Sequence, residues 1–567
     1  MSTRIFSKII LLLFLAACGT TSIDFTTSSQ EPARGRNGMV VSENDLATQV
    51  GVEILKNGGN AIDAAVAVGF ALAVTYPEAG NIGGGGFMVI HFEGRKNTSI
   101  DFRETAPGKS HKNMFLDKNG IFDPALSTEG WTSSGVPGTV AGLIYALEKY
   151  GTKSLSEVIQ PAIDLAGKGF VIQYQLADKM KLYEKDFNKY ESTKKIFTEN
   201  GESLEEGTLL VQKDLAKTLR LIKENGTEGF YKGETAELIV NQSNQNGGYI
   251  SFEDLGNYKP YEREPILSSY KDYKIVAMPP SSSGGIALAQ ALNILENFSF
   301  EKDEWNSGRY VHTVSEILKY VYADRSEHLG DEQFFKVPRE DLLSKEYAKS
   351  IAAKIHSHAT PSIDISPTDF TSYESESTTH YNVVDSGGNA VSVTYTLNSL
   401  FGNSIVVNGA GFFMNNQMDD FSSQPGMPNQ YGLIGSEANS IQPGKRMLSS
   451  MTPLIVLKNN KPFLLLGGRG GSKIITSVMQ AFLNVVEFDM NIKKAIEVPR
   501  FHHQWYPDRI DYNEFALSKD VKENLISRGQ NIGTVEGLAK VIGIMIDEKG
   551  IMWGASDPRG EGKAIGY

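Results

Sequence analysis

The fold is decided by one short stretch of the sequence, Glu376-Ser377-Thr378-Thr379-His380-Tyr381-Asn382-Val383-Val384-Asp385. The preceding residues, 357–377, are polar and contain two prolines, which predicts a loop. From Thr378 the pattern changes, because residues 378–384 and 390–397 alternate in strand fashion on either side of Asp-Ser-Gly-Gly-Asn. This arrangement predicts a β-hairpin. Thr378 therefore lies where a polar loop meets the first strand.

A second hairpin is predicted further along the chain, from residues 454–457 and 463–466. It ends in the glycine-rich run 467–472, Gly-Gly-Arg-Gly-Gly-Ser, and apolar residues at helical spacing then predict a helix from Ser472 to about Phe488. Glycines that open a helix directly after a strand leave backbone N–H groups pointing outward at the positive end of the helix dipole. Such a corner suits an oxyanion.

Helices dominate the predictions for the first half of the chain. One helix follows a capping-box pattern at Ser42 and Asp45 and ends at Gly58-Gly59. The next, from about Asn60 to Val74, consists mostly of Ala and Val and is predicted to be buried. Residues 155–325 have a mainly helical pattern, and the sequence has no internal repeat. The remaining predicted strands are residues 87–92 and 98–102.

The first residues have the pattern of an export signal. Arg4 and Lys8 precede the apolar run Ile9–Leu15, which is too short for the roughly 20 residues of a membrane-spanning helix. Leu15-Ala16-Ala17-Cys18 resembles a bacterial lipoprotein box, so residues 1–17 are predicted to be a signal peptide and Cys18 the lipidated residue. The alternative is an ordinary cleavage site with an incidental cysteine. Residues 18–38, rich in Thr and Ser, predict a flexible tether.

Location and partners follow from these features and from the composition. A lipid-anchored exported protein would face the periplasm, at the outer membrane of a Gram-negative cell, or the cell surface. Cys18 is the only cysteine, so no intramolecular disulfide can form. The 567-residue chain has 55 basic and 67 acidic residues and no extended basic run, which argues against nucleic acid. A small-molecule or peptide substrate is expected.

Several familiar catalytic motifs are absent from the sequence. It contains no Gly-x-Ser-x-Gly elbow, no His-Glu-x-x-His zinc motif and no dinucleotide-binding glycine spacing. His356 with His358 and the pair His502-His503 are the only histidine clusters. Solvated loop histidines explain them more simply than a metal site.

Thr378 alone is a weak signal, because most threonines that open a strand simply suit β geometry. The surrounding sequence is more specific: residues 376–385, 393–398 and 415–421 closely resemble the γ-glutamyltransferase family, also called γ-glutamyl transpeptidase. The resemblance continues in further motifs, Gly58-Gly59-Asn60-Ala61-Ile62-Asp63-Ala64-Ala65, Asp101-Phe102-Arg103-Glu104-Thr105-Ala106-Pro107, Leu448-Ser449-Ser450-Met451, Gly470-Gly471-Ser472 and Gly554-Ala555-Ser556-Asp557-Pro558-Arg559. They occur in one order across nearly the whole chain from about residue 38.

The resemblance implies an N-terminal-nucleophile hydrolase, an α/β fold arranged as a four-layer αββα sandwich. It implies a zymogen that cuts itself between Ser377 and Thr378 into a large subunit, 39–377, and a small catalytic subunit, 378–567, which remain together as a heterodimer. The chemistry is consistent, because the α-amine exposed on Thr378 would supply the base that a threonine hydroxyl needs. An α-amine titrates near 8, so no histidine is required.

The resemblance also assigns the catalytic residues around Thr378. Gly470 and Gly471 would donate backbone N–H groups to the tetrahedral oxyanion, in agreement with the strand-to-helix corner predicted above. Thr396 would hydrogen-bond to Thr378 and orient it. The structural alternatives are a tight turn for the glycine pair and a strand-face hydroxyl for Thr396.

The donor's amino-acid head group carries two opposite charges, and the resemblance assigns residues to each. Those for the α-carboxylate are Arg103, Ser449 and Ser450, and those for the α-ammonium are Asn398, Gln417 and Asp420. A bidentate guanidinium and a carboxylate suit such a zwitterion. Residues 425–432 resemble the lid loop of some relatives, in which Tyr431 would cover the donor. The alternatives are a surface ion pair for Arg103, a loop cap for Asp420 and a mobile surface loop for residues 425–432.

The sequence therefore predicts a γ-glutamyltransferase and glutathione hydrolase. Thr378 would form a γ-glutamyl ester from glutathione or another γ-glutamyl compound and pass it to water or to the amine of an acceptor amino acid or peptide. No cofactor and no metal are implied. Rival hypotheses are an acylase or poly-γ-glutamate transferase on the same fold, and a lipoprotein that keeps the fold only for binding. The sequence departs from many relatives at Ser377, at Asn382, where they carry Ser, and at Arg469, where they carry Pro.

Overall fold

The secondary structure is mixed α/β in the computed structural model, which describes residues 31–365, 378–424, 426–535 and 537–567. The strands are β1 Ala33–Gly35, β2 Gly38–Ser42, β3 Gly85–His91, β4 Thr98–Phe102, β5 Phe170–Val171, β6 Thr198–Glu199, β7 Glu202–Ser203, β8 Leu209–Leu210, β9 Tyr261–Arg263, β10 Ile266–Tyr270, β11 Tyr273–Ala277, β12 Thr379–Asp385, β13 Ala390–Thr396, β14 Leu454–Lys458, β15 Lys461–Arg469, β16 Phe501–His502, β17 Ile510–Tyr512, β18 Ile532–Val535, β19 Lys540–Ile546, β20 Met552–Ser556 and β21 Lys563–Gly566.

Helices flank these strands. They are α1 Asp45–Lys56, α2 Ala61–Thr75, α3 Pro124–Thr128, α4 Thr139–Tyr150, α5 Leu155–Lys168, α6 Tyr174–Leu182, α7 Glu184–Phe187, α8 Glu191–Phe197, α9 Lys213–Asn225, α10 Glu228–Tyr231, α11 Gly233–Gln245, α12 Phe252–Asn257, α13 Gly284–Leu295, α14 Gly308–His328, α15 Arg339–Leu342, α16 Lys345–Ala352, α17 Ser362–Ile365, α18 Ile474–Val486, α19 Ile492–Glu497 and α20 Lys519–Ser527. Short 3-10 helices cover Trp131–Ser133, Lys302–Glu304, Gln417–Asp420, Glu437–Asn439 and Gly471–Lys473.

Two seven-stranded antiparallel sheets lie face to face at the centre. Sheet A has the strand order β1-β20-β19-β15-β14-β11-β10, and sheet B has the order β21-β2-β12-β13-β3-β4-β9. The sheets meet where β12 and β13 pack on β15. Both predicted hairpins are present, as β12–β13 and β14–β15.

Helices cover the outer face of each sheet. In β2, Val40 packs into a core with α1 and α2, whereas Met39 and Val41 pack into a second core with sheet A. β3 shows the same alternation, as expected when successive side chains point to opposite faces of a strand. Helices α13, α14 and α18 pack into the core that contains sheet A. The layers are therefore helix, sheet B, sheet A, helix, and the predicted αββα sandwich is confirmed.

Each sheet contains strands from both sides of residue 378. In sheet B, β12 and β13 lie between β2 and β3, and β21 closes the edge beside β2. In sheet A, β14 pairs with β11. The hydrogen-bonded ladders of both sheets therefore join the segment before residue 366 to the segment after residue 377. A cut between these segments would leave them held by backbone hydrogen bonds and by a shared core.

The first strand lies within the segment that was predicted to be a tether. The tether was expected to reach residue 38, but β1 pairs with β20, with Ala33 opposite Gly554. The Tyr567 carbonyl accepts hydrogen bonds from Arg36 N at 2.7 Å and Asn37 N at 2.8 Å. Side-chain patterns do not reveal this pairing because it uses backbone groups. The signal peptide, Cys18 and the first part of the tether lie outside the described residues.

The cap of the first helix also differs from the prediction. Asn44, rather than Ser42, is the N-cap of α1, and its side chain accepts from Leu46 N and Ala47 N. Ser42 Oγ instead lies 2.7 Å from Thr48 Oγ1. Helix α2 agrees with the prediction: Asn60 and Asp63 form its capping box, and every residue of the helix is buried. In the described part of the chain, no helix is long and apolar enough to cross a membrane.

Candidate active site

Thr378 lies at an edge of sheet B where several functional segments begin or end. It directly precedes β12, in which Thr379 pairs with Tyr395, so Thr396 is its neighbour on β13. Thr396 pairs with Gly85 of β3. The next strand, β4, ends at Phe102, so Arg103 emerges at the same edge. The antiparallel register thus brings together residues that are far apart in the sequence.

A single pocket contains nearly every residue predicted for the site. Thr378, which is 4% exposed, lines it, and every other predicted catalytic or donor-binding residue except Gly470 does so too. The full lining is Arg103, Arg325, Thr378, Thr396, Asn398, Gln417, Asp420, Tyr431, Leu433, Leu448, Ser449, Ser450, Met451, Gly471, Ser472 and Ile474. Gly470 adjoins Gly471, and Ser377 lies outside the described residues.

Thr396 is fixed beside Thr378 by the end of its strand. Its Oγ1 accepts a hydrogen bond from Asn398 N at 2.9 Å, where the chain turns out of β13. Asn398 has a positive φ of 80°, and its side-chain amide donates to Asn416 O at 3.0 Å. This local bonding sets the direction of the Thr396 hydroxyl next to the pocket.

The histidine closest in sequence to Thr378 does not line the pocket. His380 is fully buried in β12, and its Nδ1 lies 2.7 Å from Thr394 Oγ1. Its ring packs where Gly467 leaves room: a Cβ on Gly467 would lie 2.1 Å from His380 Cε1. Burial lowers the His380 pKa to about 3, so the ring stays neutral at physiological pH. His380 therefore serves the packing between the sheets.

Gly470 and Gly471 form the turn between β15 and the 3-10 helix that precedes α18. Their φ values are 139° and 54°, a region that favours glycine. A Cβ on Gly470 would lie 2.6 Å from Ala539 Cα, and one on Gly471 would lie 2.6 Å from Tyr431 Cδ1. Backbone conformation and space therefore both require glycine. The predicted corner exists, with a 3-10 turn inserted before the α-helix.

Arg103, which is fully buried, forms an ion pair with Asp420, whose side chain is 11% exposed. Arg103 Nη2 donates to Asp420 Oδ2, and Arg103 Nε donates to Met447 O at 3.3 Å. The same Asp420 oxygen accepts from Gln417 Nε2 at 2.7 Å. The two residues predicted to hold opposite charges of a donor thus lie next to each other at the pocket wall. A zwitterion bound beside the pair could present its carboxylate to the guanidinium and its ammonium to the Asp420 carboxylate.

Burial shifts the pKa values of the acidic groups that lie next to Arg103. Burial raises the Asp420 pKa, while the charge of Arg103 acts to lower it. Glu104, beneath Arg103, has its pKa raised to about 7 by burial, again opposed by Arg103. Neither Glu104 oxygen has a hydrogen-bond partner among the described residues, and Oε2 lies 3.6 Å from Arg103 Nη1. Charges in such a site interact more strongly than in water because less solvent screens them.

Arg325 is a site residue that the sequence reasoning missed. It lies on α14, is 4% exposed and lines the pocket. Its Nε donates to Ser283 Oγ at 3.0 Å and its Nη2 to Ser450 Oγ at 3.2 Å. Burial lowers its pKa to about 10, which still leaves it charged at neutral pH. Two guanidinium groups against the single Asp420 carboxylate make the pocket favourable for an anionic ligand.

Ser449 and Ser450 line the pocket, and Ser449 is hydrogen-bonded to the loop that precedes α13. Ser449 N donates to Ser281 O at 2.9 Å, and the Ser449 carbonyl accepts from Ser283 N at 2.7 Å. Ser450 is linked to Arg325 as described above. The backbone of this predicted carboxylate-binding segment is therefore held by the loop that precedes α13.

Tyr431 connects the predicted lid to the site. Its hydroxyl donates to Asn398 O at 2.6 Å, and its ring lies against Gly471. Tyr431 is 5% exposed and lines the pocket. Of the predicted lid segment, Pro425 is outside the described residues. Within the described ranges, no group of three or more His, Cys, Asp or Glu side chains is arranged to hold a metal ion.

Comparison with known proteins identifies the family. The family model described as Gamma-glutamyltranspeptidase matches residues 47–567. The chain belongs to the γ-glutamyltranspeptidase family. The glutathione hydrolase proenzyme of Escherichia coli (strain K12) is 51% identical over 530 residues, which are 93% of this chain and 91% of the relative.

Solved structures agree with this assignment. The crystal structure of Helicobacter pylori γ-glutamyltranspeptidase is 49% identical in sequence and superposes with a TM-score of 0.57. The alignment covers 57% of this chain and 94% of the chain in that structure. The crystal structure of the cephalosporin acylase of Bacillus halodurans is 27% identical in sequence and superposes with a TM-score of 0.83. The alignment covers 95% of this chain and 97% of the acylase chain. The chain thus shares its N-terminal-nucleophile hydrolase fold with a transpeptidase and with a cephalosporin acylase.

The glycine turn generates a direct prediction. Gly471→Ala should lower kcat/KM on a γ-glutamyl amide about a hundredfold, because the methyl group would meet Tyr431 and φ would be strained next to the oxyanion position. Gly256→Ala is the matched control, since a Cβ there meets nothing within 4 Å. Steady-state kinetics of the two purified variants checks this. Equal activity of Gly471→Ala and wild type would contradict the assigned role of the turn.

Proposed function

We propose that this protein is an exported, self-processing γ-glutamyltransferase and glutathione hydrolase with Thr378 as its nucleophile. One observation carries the proposal: the same pocket holds Thr378, the Gly471 turn and the Arg103–Asp420 pair. A nucleophile, an oxyanion site and a grip for an amino-acid head group are the parts that transfer of a γ-glutamyl group requires.

Processing comes first. The Thr378 hydroxyl attacks the carbonyl carbon of Ser377, the peptide nitrogen of Thr378 leaves as an amine, and an ester joins the two residues. Water then attacks this ester, which releases the Ser377 carboxylate and restores the Thr378 hydroxyl. Because sheets A and B each contain strands from both segments, the two products stay together as a heterodimer.

Turnover uses the amine that processing exposes. The neutral α-amine accepts the hydroxyl proton as Thr378 Oγ1 attacks the γ-carbonyl carbon of the donor, and the Gly470–Gly471 turn stabilises the resulting oxyanion. Collapse of this intermediate expels the donor's amine, which takes up the proton and leaves a γ-glutamyl ester. Water or the amine of an amino acid or peptide then attacks the ester. Glutathione and other γ-glutamyl compounds are the proposed donors, and neither a metal nor a cofactor takes part.

Donor recognition rests on opposite charges in the pocket. Arg103, with Ser449 and Ser450, holds the α-carboxylate, and Asp420, with Asn398 and Gln417, holds the α-ammonium. Arg325 adds positive charge on the carboxylate side through its contact with Ser450. Tyr431 covers the bound donor. Gripping both charges fixes the distance at which the γ-carbonyl meets Thr378.

Acylase activity is the second candidate function, because the cephalosporin acylase of Bacillus halodurans has a similar fold over nearly the whole chain. The Arg103–Asp420 pair favours γ-glutamyl donors, since a donor whose carboxylate engages Arg103 but which has no ammonium group would bring no positive charge to Asp420 in exchange. A poly-γ-glutamate donor would present its internal residues without a free amino-acid head. A binding-only protein would not need the glycine turn, which lies in the pocket beside Thr378.

Self-processing can be tested on the purified protein. Purified wild-type chain should separate into two fragments on a denaturing gel without added protease, and terminal sequencing of the smaller should begin at Thr378. Thr378→Ala should remain one chain, because the hydroxyl that attacks Ser377 is missing. A different new N-terminus, or efficient cutting of Thr378→Ala, would contradict the mechanism.

Donor specificity is tested at the ion pair. Arg103→Ala should still self-cleave but lose about thirtyfold to several-thousandfold in kcat/KM, because truncating one partner of a buried pair costs roughly 2 to 5 kcal/mol. Arg309→Ala, at a half-exposed arginine on α14, is the control and should match wild type. Wild type should also prefer a γ-glutamyl amide over the glutaryl amide, which lacks the α-amino group. Equal use of both amides would favour the acylase function.

The lipid anchor is tested at Cys18. We expect Cys18→Ser to release soluble enzyme with full activity, since lipidation requires the thiol and the described site uses none of the first 30 residues. Fractionation of cells that express each form, followed by an activity assay of membranes and supernatant, measures this. Membrane association unchanged by the substitution would show that a lipid on Cys18 is not the anchor.

A further inference from the structure

Arg469 is the last residue of β15 and directly precedes the Gly470–Gly471 turn. Its side chain is 5% exposed and points into a buried cluster of charged groups, away from the pocket lining. Its Nε lies 3.4 Å from Glu43 Oε2, and its guanidinium carbon lies 5.7 Å from the centre of the Tyr76 ring. Glu43 is 1% exposed. This buried arginine therefore has Glu43 as a carboxylate partner and the Tyr76 ring as an aromatic partner. Glu78 and Glu561 also lie close enough to act on its charge.

Glu43 connects this contact to the strand of the nucleophile. It follows β2, whose last residue, Ser42, pairs with Tyr381 of β12. β12 begins directly after Thr378. The Glu43–Arg469 ion pair therefore joins the end of the sheet A strand that carries the glycine turn to the sheet B edge beside Thr378.

The glycine turn needs such a restraint on its β15 side. Glycines at positive φ have wide conformational freedom, whereas oxyanion donors act only when they are held in place before the reaction. Packing on Ala539 and Tyr431 limits the turn from two directions. On the β15 side, Arg469 pairs with Lys540 of β19, so a second positive charge lies on the neighbouring strand. The negative charge of Glu43 offsets the repulsion between Arg469 and Lys540.

We propose that Arg469 is a positioning residue for the oxyanion turn and that it acts through Glu43. The pair holds the end of β15 at a fixed distance from the start of β12, so that the Gly470–Gly471 N–H groups face the carbon attacked by Thr378. The interaction works through charge, because Arg469 Nε and Nη2 have no acceptor with hydrogen-bond geometry among the described residues. This inference rests on the proposed function and adds a determinant of its rate.

The surrounding cluster supplies a control. Lys179 contacts Glu78 at 2.7 Å and also pairs with Glu561, and its ammonium lies 5.0 Å from the centre of the Tyr76 ring. Lys179 thus belongs to the same buried cluster but is not attached to β15. If the cluster only stabilised the fold, loss of Lys179 and loss of Arg469 would have the same effect on turnover.

The test compares processed enzymes carrying Arg469→Met, Arg469→Lys, Glu43→Gln, the double change Arg469→Met with Glu43→Gln, and Lys179→Met. Arg469→Met should lower kcat on a γ-glutamyl amide about tenfold to a hundredfold and change KM less than about threefold, because a displaced turn weakens the transition state more than the bound donor. Glu43→Gln should do the same, and the double variant should be no slower than either single variant. Arg469→Lys should have a kcat close to that of wild type, because it keeps the positive charge. Lys179→Met should have the same kcat as wild type.

A second readout separates positioning from packing. A glutamate analogue with boronic acid in place of the γ-carbonyl forms a tetrahedral anion on the Thr378 hydroxyl, so its affinity should fall with kcat in Arg469→Met. The proposal is overturned if Arg469→Met keeps wild-type kcat and boronate affinity, if the single losses multiply in the double variant, or if Lys179→Met loses as much. If Arg469→Met does not fold, the kcat and the boronate affinity of Glu43→Gln and of Arg469→Lys are compared with wild type, and the same criteria apply. Absence of turnover in wild type would contradict the proposed function instead.

Discussion

The register of β12 between β2 and β13 is the constraint on which the rest of the structure depends. Because side chains alternate between the faces of a strand, a shift by one residue would move Tyr381 and Val383 out of their core. The same register fixes Thr378 at the sheet edge, next to Thr396 and level with the end of β4. Burial on both faces of sheet B thus sets the position of the proposed nucleophile through packing far from the pocket.

Buried charge is the second organising feature. Arg103 pairs with Asp420, Arg325 contacts Ser450, and Glu43 faces Arg469, and all of these groups are largely shielded from water. Such pairs contribute little net stability once desolvation is counted, and breaking one leaves a costly unpaired charge. Their role here is to constrain the positions of the groups that they join. In the proposed mechanism they would place the two charges of a donor head group and the β15 end of the oxyanion turn, which apolar contacts could not do with the same specificity.

Most of the fold and of the site could be predicted from the sequence, and particular residues show why. The hairpins were visible from their alternation and turn residues, and Thr378, Asp420 and Gly471 from motifs that occur in a fixed order. Strand β1 was missed because backbone hydrogen bonds, rather than a side-chain pattern, hold it to β20. Arg325 was missed because one arginine in a long mixed helix looks like part of its solvent face. The partner of Arg469 could not be found because Glu43 is distant in sequence and the pair forms only when the sheets meet.

The central claim, that Thr378 carries the γ-glutamyl group, is tested most directly by trapping the ester. Processed enzyme is mixed with a γ-glutamyl donor, quenched in acid within one turnover, digested and examined by mass spectrometry. The account predicts a glutamyl adduct on the N-terminal peptide of the small fragment, lost when hydroxylamine cleaves the ester. An adduct on any other peptide, or turnover without an adduct on this one, would contradict it.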